Sequence, residues 1–288
     1  MLYFAAMKKK CLTILCVIVF TYNVKAQFFS EFLQGEYGIT AGAAHYFGDL
    51  NPNADINRPK PSLGIFYLVQ YNNYLGLRLT AHYAQLGYSD IYSSNEFQRR
   101  RNLSFNTNIF EIAALGDFNF YKFIPGDPQH GFTPFISFGI GAFTYNPYAY
   151  LNGQKVFLRP LGTEGQNIGY DGRKPYGTIA ACFPIGAGVK YNINNRFNFS
   201  MQITQRLTTT DYIDDVSTTY VGINKFPTLP NGQPSIAALM QDRSYETGPP
   251  IGAAGTQRGW SKQKDQYVIA EFGLSFMIYK YKCPRSNE

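Results

Sequence analysis

Eight stretches of this chain alternate apolar with polar or small residues, and the connections between them are short and long by turns. Alternation of this kind marks strands whose two faces meet different surroundings, because successive side chains point to opposite sides. The pattern predicts strands over residues 36–47, 62–71, 74–86, 104–120, 132–145, 178–191, 196–208 and 266–279. Most exceed the roughly 9–11 residues that a tilted strand needs to cross a bilayer. Strands can cross lipid only in a closed barrel, which leaves no backbone N–H or C=O without a partner. The expected fold is all-β, an eight-stranded antiparallel up-and-down transmembrane beta-barrel.

The faces can be read residue by residue. Over 74–86, Leu75, Leu77, Leu79, Ala81 and Tyr83 share one side, and Gly76, Arg78, Thr80, His82 and Ala84 the other. Over 196–208, Phe197, Phe199, Met201 and Ile203 oppose Asn198, Ser200, Gln202, Thr204 and Arg206. The apolar sets should face lipid. The opposite sets then gather Arg78, Lys190 and Arg206 with Glu111, Asp117 and Glu271 inside one lumen. Eight strands enclose a space just wide enough for side chains to fill. Charge buried there must be paired, so a packed ionic core is expected in preference to an ion path or a general pore.

The shorter links, 72–73, 122–130 and 192–195, follow the second, fourth and sixth strands. Outer-membrane barrels keep short turns in the periplasm and long loops outside. The segments 48–61, 87–103, 146–177 and 209–265 are therefore four expected extracellular loops, with both termini periplasmic. The last, rich in Gly, Pro and polar residues, reads as an ordered binding loop or a partly mobile one.

The N-terminal region agrees with export. Met7 is followed by Lys8, Lys9 and Lys10, an apolar run over 11–20 and the small-residue end Val24-Lys25-Ala26. This predicts a signal peptide over 1–26 and a barrel domain over 27–288 with a short periplasmic C-terminal tail. Bulky Leu15 before Cys16 argues against a lipoprotein site. Loss of Lys8, Lys9, Lys10 and Lys25 lowers the formal charge from +7 to +3. That mild excess, clustered only at Arg99, Arg100 and Arg101, gives no nucleic-acid surface. Aromatics at 17% and 27 glycines suit interfacial girdles and tight inward positions. Only Cys182 and Cys283 remain after the leader, too few for a disulfide-built fold. Their expected positions at opposite ends of the barrel put them too far apart to pair.

Several stretches resemble one family, the PorG-type outer-membrane barrels of the type IX secretion system. They are Tyr46-Phe47-Gly48-Asp49-Leu50-Asn51, Pro134-Phe135-Ile136 with Gly139-Ile140-Gly141, and Pro184-Ile185-Gly186-Ala187-Gly188-Val189-Lys190-Tyr191. More specific are Arg206 with Thr210-Asp211-Tyr212-Ile213-Asp214-Asp215-Val216-Ser217 and the terminal Lys282-Cys283-Pro284. The resemblance implies a non-enzymatic component of protein transport, located in the outer membrane among its lipids. It also implies partners in the periplasmic ring, PorK-like and PorN-like proteins, and a link to gliding motility where adhesins are exported. No cofactor is expected.

Asp211, Tyr212, Asp214 and Asp215 admit three readings: turn capping or rim packing, a partner contact, or a hard-cation site. Their spacing lacks the one-three-five pattern of a calcium-binding EF-hand loop. An enzyme acting on lipid or peptide would need a base beside a nucleophile, and the available histidines are His45, His82 and His130. A narrow channel is a further alternative. Cys283, the one cysteine expected in the periplasm, is a candidate for a disulfide to a partner, a PorK-like lipoprotein if the resemblance carries over.

Overall fold

The computed structural model describes residues 34–194 and 196–278. The expected signal peptide and the C-terminal tail with Cys283 lie outside the described residues. Eight long strands form the wall: β1 (Gln34–Phe47), β2 (Lys60–Gln70), β3 (Leu75–Ser89), β4 (Ser104–Asn119), β5 (Phe132–Thr144), β8 (Ile179–Asn192), β9 (Phe197–Thr208) and β10 (Gln266–Ile278). Each pairs antiparallel with the next, and β1 pairs with β10 from Gly35↔Ile278 to Phe47↔Gln266. The sheet therefore closes into an eight-stranded antiparallel barrel.

Two short strands, β6 (Tyr148–Leu151) and β7 (Gln154–Phe157), form a hairpin within a segment that the sequence pattern assigns wholly to loop. Its turn is Asn152-Gly153, both with positive φ, the pairing a two-residue hairpin favours. The hairpin leans on the wall through Asn106↔Tyr148. The long segments also hold two short helices, α1 (Glu96–Arg101) and α2 (Ile236–Gln241). Asn95 and Ser235 cap them through their side chains.

Short and long connections separate to opposite ends of the barrel. At the short-turn end, Asn72 Oδ1 accepts the N–H groups of Tyr74 and Leu75, and Asn194 Oδ1 those of Arg196 and Phe197. Asn192 Oδ1 takes the Gly126 N–H at 2.9 Å and ties two turns together. The outer wall carries Ile39, Ile65, Leu77, Ile112, Ile140, Ile185, Ile203 and Leu274, all exposed. Such a continuous apolar belt is stable only against lipid. Tyr71, Tyr74, Phe120, Tyr121, Phe132 and Tyr191 ring its short-turn edge, where amphipathic rings suit a membrane interface.

The lumen is filled. Lys190 Nζ lies 2.8 Å and Arg78 Nη2 3.1 Å from the Asp117 carboxylate. Arg78 also donates to Gln202 Oε1 at 2.8 Å, and Gln202 donates on to Glu271. His82 stands between Glu271 at 3.1 Å and Glu111 at 3.6 Å. Glu111 in turn meets Arg206 at 3.2 Å and accepts the Tyr267 hydroxyl. The six charges expected in the lumen are thus joined in one network, with His82 and Gln202 as links. Glu36, bonded by Ser275, adds a buried carboxylate. Towards the long loops the filling turns apolar, with Tyr46, Phe105, Ile109, Phe143 and Ile269 from the wall against Leu50, Ile213, Val216 and Met240 from the loops.

Removing one member of a buried pair leaves the other desolvated and unpaired, which costs about 3–5 kcal/mol. Glu111→Gln and Arg206→Met should each lower the urea midpoint and weaken heat-modifiable migration. The double variant should lose less than the sum of the two. Additive losses, or unchanged single variants, would contradict an ionic core.

Candidate functional site

The four long loops form a cap over one barrel mouth, and two buried arginines hold it. Arg101, at the end of α1, binds Asp90 through two nitrogens at 2.7 Å each, a fork that suits guanidinium and carboxylate. It also donates to the carbonyls of Arg258 at 2.6 Å and Asp49 at 3.0 Å. Arg258 reaches Glu164 at 3.0 Å, the Asp215 carbonyl at 2.6 Å and the Gln241 carbonyl at 3.0 Å. Glu164 accepts the Ser217 and Thr218 N–H groups and the Thr218 hydroxyl. Every long loop is joined to another through these two cations.

The acidic run of the last loop lies inside this cap. Asp214 accepts from Val216 N at 2.9 Å and from Tyr46 Oη at 2.6 Å. Asp215 accepts from the Thr163 and Tyr176 hydroxyls. Asp211 accepts from Ser217 Oγ at 2.6 Å. Tyr212 stacks on Tyr176 with ring centroids 4.4 Å apart, and its hydroxyl faces Glu164. Asp211, Asp214 and Asp215 are all buried, so their carboxylates face the cap interior. Among the described residues, no group of three or more His, Cys, Asp or Glu is placed to hold a metal ion.

Tyr46 Oη also lies 2.8 Å from Asp265 Oδ1. One hydroxyl carries one proton, so both contacts are hydrogen bonds only when one carboxyl is protonated. Burial, then mutual repulsion, raises Asp214 well above the usual carboxylate range, and burial does the same to Asp265. Burial also pushes Asp211 up to about 7. Asp215 rises to about 6 by burial, despite the facing Arg258, and Asp49 to about 6 by burial, despite its bonds to Trp260 N–H.

The histidines are separated. His45 Nε2 meets the Asp55 carbonyl, while Asp49 holds the Trp260 N–H at 3.0 Å, so His45 and Asp49 are not joined. His130 pairs with Asp127 at 2.6 Å in the 120–131 turn. Cys182 is buried with its Sγ 3.9 Å from Glu111. At the short-turn end, Tyr121, Lys122, His130, Tyr191, Asn192 and Ile193 border a groove of about 580 Å³. Asp90, Glu164, Arg258 and Asp265 are cap residues that sequence reasoning missed. Arg101 showed only as part of a cationic triplet, and Glu164, between glycines, carried no pattern.

Carboxylates with raised folded-state values hold protons that the unfolded loops release. Their contribution to cap stability is full below about pH 4 and is lost as pH rises through about 6 to 7. Amide exchange in 209–265, corrected for intrinsic chemistry, should be slower at pH 5 than at pH 8, and Asp211→Asn should reduce the difference. Equal or greater protection at pH 8 would contradict this.

Three solved structures illustrate the likenesses in shape. Neisserial surface protein A is 10% identical, with 84% of this chain and 96% of that one covered and a TM-score of 0.41. Ail of Yersinia pestis, solved with the heparin analogue sucrose octasulfate, is 9% identical over 85% and 99%, with a TM-score of 0.39. The outer membrane enzyme PagL is 10% identical over 83% and 97%, with a TM-score of 0.31. Likeness this distant extends no function to the present chain. No curated protein matches it in sequence. A family model described as a domain of unknown function, DUF6089, matches residues 9–227, well over half of the sequence, and the chain belongs to that family.

Proposed function

We propose that this protein is a non-enzymatic outer-membrane component of type IX protein secretion, a closed barrel that docks the periplasmic ring of PorK-like and PorN-like proteins. The observation that carries the reading is a lumen packed by ion pairs at one level and by apolar side chains and loops at the next. A barrel so filled has its two ends as working surfaces. The resemblance in Tyr46-Phe47-Gly48-Asp49-Leu50-Asn51 and in the acidic run supplies the choice of machinery. The short-turn groove, with exposed Tyr121, Tyr191 and Ile193 on its border, is a surface of the right kind for a ring protein.

In this reading the short-turn end and both termini face the periplasm, and Cys283 is the residue proposed to form a disulfide to the ring. The non-enzymatic assignment is supported by the histidines. His45 is engaged by a carbonyl, and His82 and His130 by carboxylates.

A tag inserted in 231–259 should label on intact cells, and one after residue 288 only once the outer membrane is opened. The reverse labelling would overturn the orientation. Affinity capture of the chain from native outer membranes should bring PorK-like and PorN-like proteins in stable ratio, and Ile193→Asp should reduce their recovery several-fold without loss of the folded barrel. Capture without ring proteins would overturn the docking role.

A further inference from the structure

The cap carries one feature that neither closure nor ring docking uses. Trp260, the only tryptophan of the chain, is 53% exposed at the long-loop end. It forms one wall of an open groove of about 810 Å³, with Asp171, Arg173, Thr219, Gln257 and Ser261 around it. An indole left in water forgoes a large burial free energy, so its presence on a polar surface needs an explanation.

The groove is built on fixed backbone. The Trp260 N–H is held by both oxygens of Asp49 at 3.0 Å. The N–H groups of Arg258 and Gly259 donate to the Thr218 carbonyl at 2.9 and 2.8 Å. Thr219 and Gln257 form an antiparallel bridge, and a Cβ at Gly259 would collide with Asp49 and the Ser217 backbone. On the facing wall, Arg173 is anchored by the Glu164 carbonyl and by the carbonyl and hydroxyl of Thr219. Asp171 sits beside it with φ 53°. The Asp171 and Gln257 side chains stay exposed.

We propose that this groove binds a neutral oligosaccharide, one pyranose ring stacking on the Trp260 indole while Gln257 and Asp171 bond its hydroxyl groups. A pyranose has an apolar C–H face with a small positive charge, which suits the negative face of an indole. Its edge bears paired donors and acceptors, which an amide and a carboxylate satisfy together. Asp171 and Arg173 balance one another, so the site favours an uncharged chain over an acidic one. An apolar platform with a few fixed polar groups is the usual make-up of a small-ligand site. The glycan could be free or lipid-linked, and the chemistry of recognition is the same. This inference is independent of what the short-turn end docks.

Because Trp260 is the single indole, its fluorescence reads the site directly. The full barrel in a sugar-free detergent is titrated with maltohexaose, cellohexaose and mannohexaose, and separately in nanodiscs containing a glucosyl lipid. At least one probe should give a saturable change in intensity or emission maximum. Gln257→Ala and Asp171→Ala, which alter exposed side chains, should weaken it about ten-fold or more with barrel migration unchanged. Calorimetry on Trp260→Ala should show the same loss. Response to free sugars or only to the glycolipid supports the proposal and identifies the source. No saturable change with any probe, undiminished binding by Trp260→Ala, or an emission shift with sugar-free nanodiscs alone would overturn it, the last marking Trp260 as a membrane-interface anchor.

Discussion

Closure of the sheet between β1 and β10 is the constraint from which the rest of the structure follows. An open edge in lipid would strand backbone groups at several kcal/mol each, and the continuous ladder from Gly35↔Ile278 to Phe47↔Gln266 removes that edge. Closing eight strands fixes a narrow bore. Charged side chains on the inner faces are then buried and must pair with one another. The path from Lys190 through Asp117, Arg78, Gln202, Glu271 and His82 to Glu111 and Arg206 does so across five strands.

The same rule governs the cap by different means. Above the belt the loops are long, and their chain polarity must be satisfied without a ladder. Arg101 and Arg258 supply donors to carbonyls and carboxylates from all four loops. Several carboxylates beside them keep raised proton affinity because burial outweighs the neighbouring cations. The cap is therefore pH-sensitive, while its two arginines stay charged throughout.

How much was legible in the sequence follows from what makes alternation visible. Where lipid lies outside and side chains inside, period two is enforced, and the eight wall strands could be read to within a few residues. It fades where both faces are covered: Leu86, Gly87 and Tyr88 are all buried, so β3 runs to Ser89, past its expected end. The six lumen charges stood out as charged residues on the polar faces of alternating strands. The β6–β7 hairpin carried a local signal in Asn152-Gly153, but its strands are four residues long. Asp214 and Asp215 could be found by composition. Their partners Tyr46, Tyr176 and Thr163 could not, because the contacts span from 39 to 168 residues of chain.

The docking role proposed for the barrel presupposes that nothing passes through it. Conductance in planar bilayers tests that most directly. With the lumen filled by paired charges and the mouth by the loop cap, the purified barrel should insert without opening current steps at either polarity. Steady single-channel conductance, retained after removal of contaminating porins and altered by Arg78→Ala, would contradict a shut barrel.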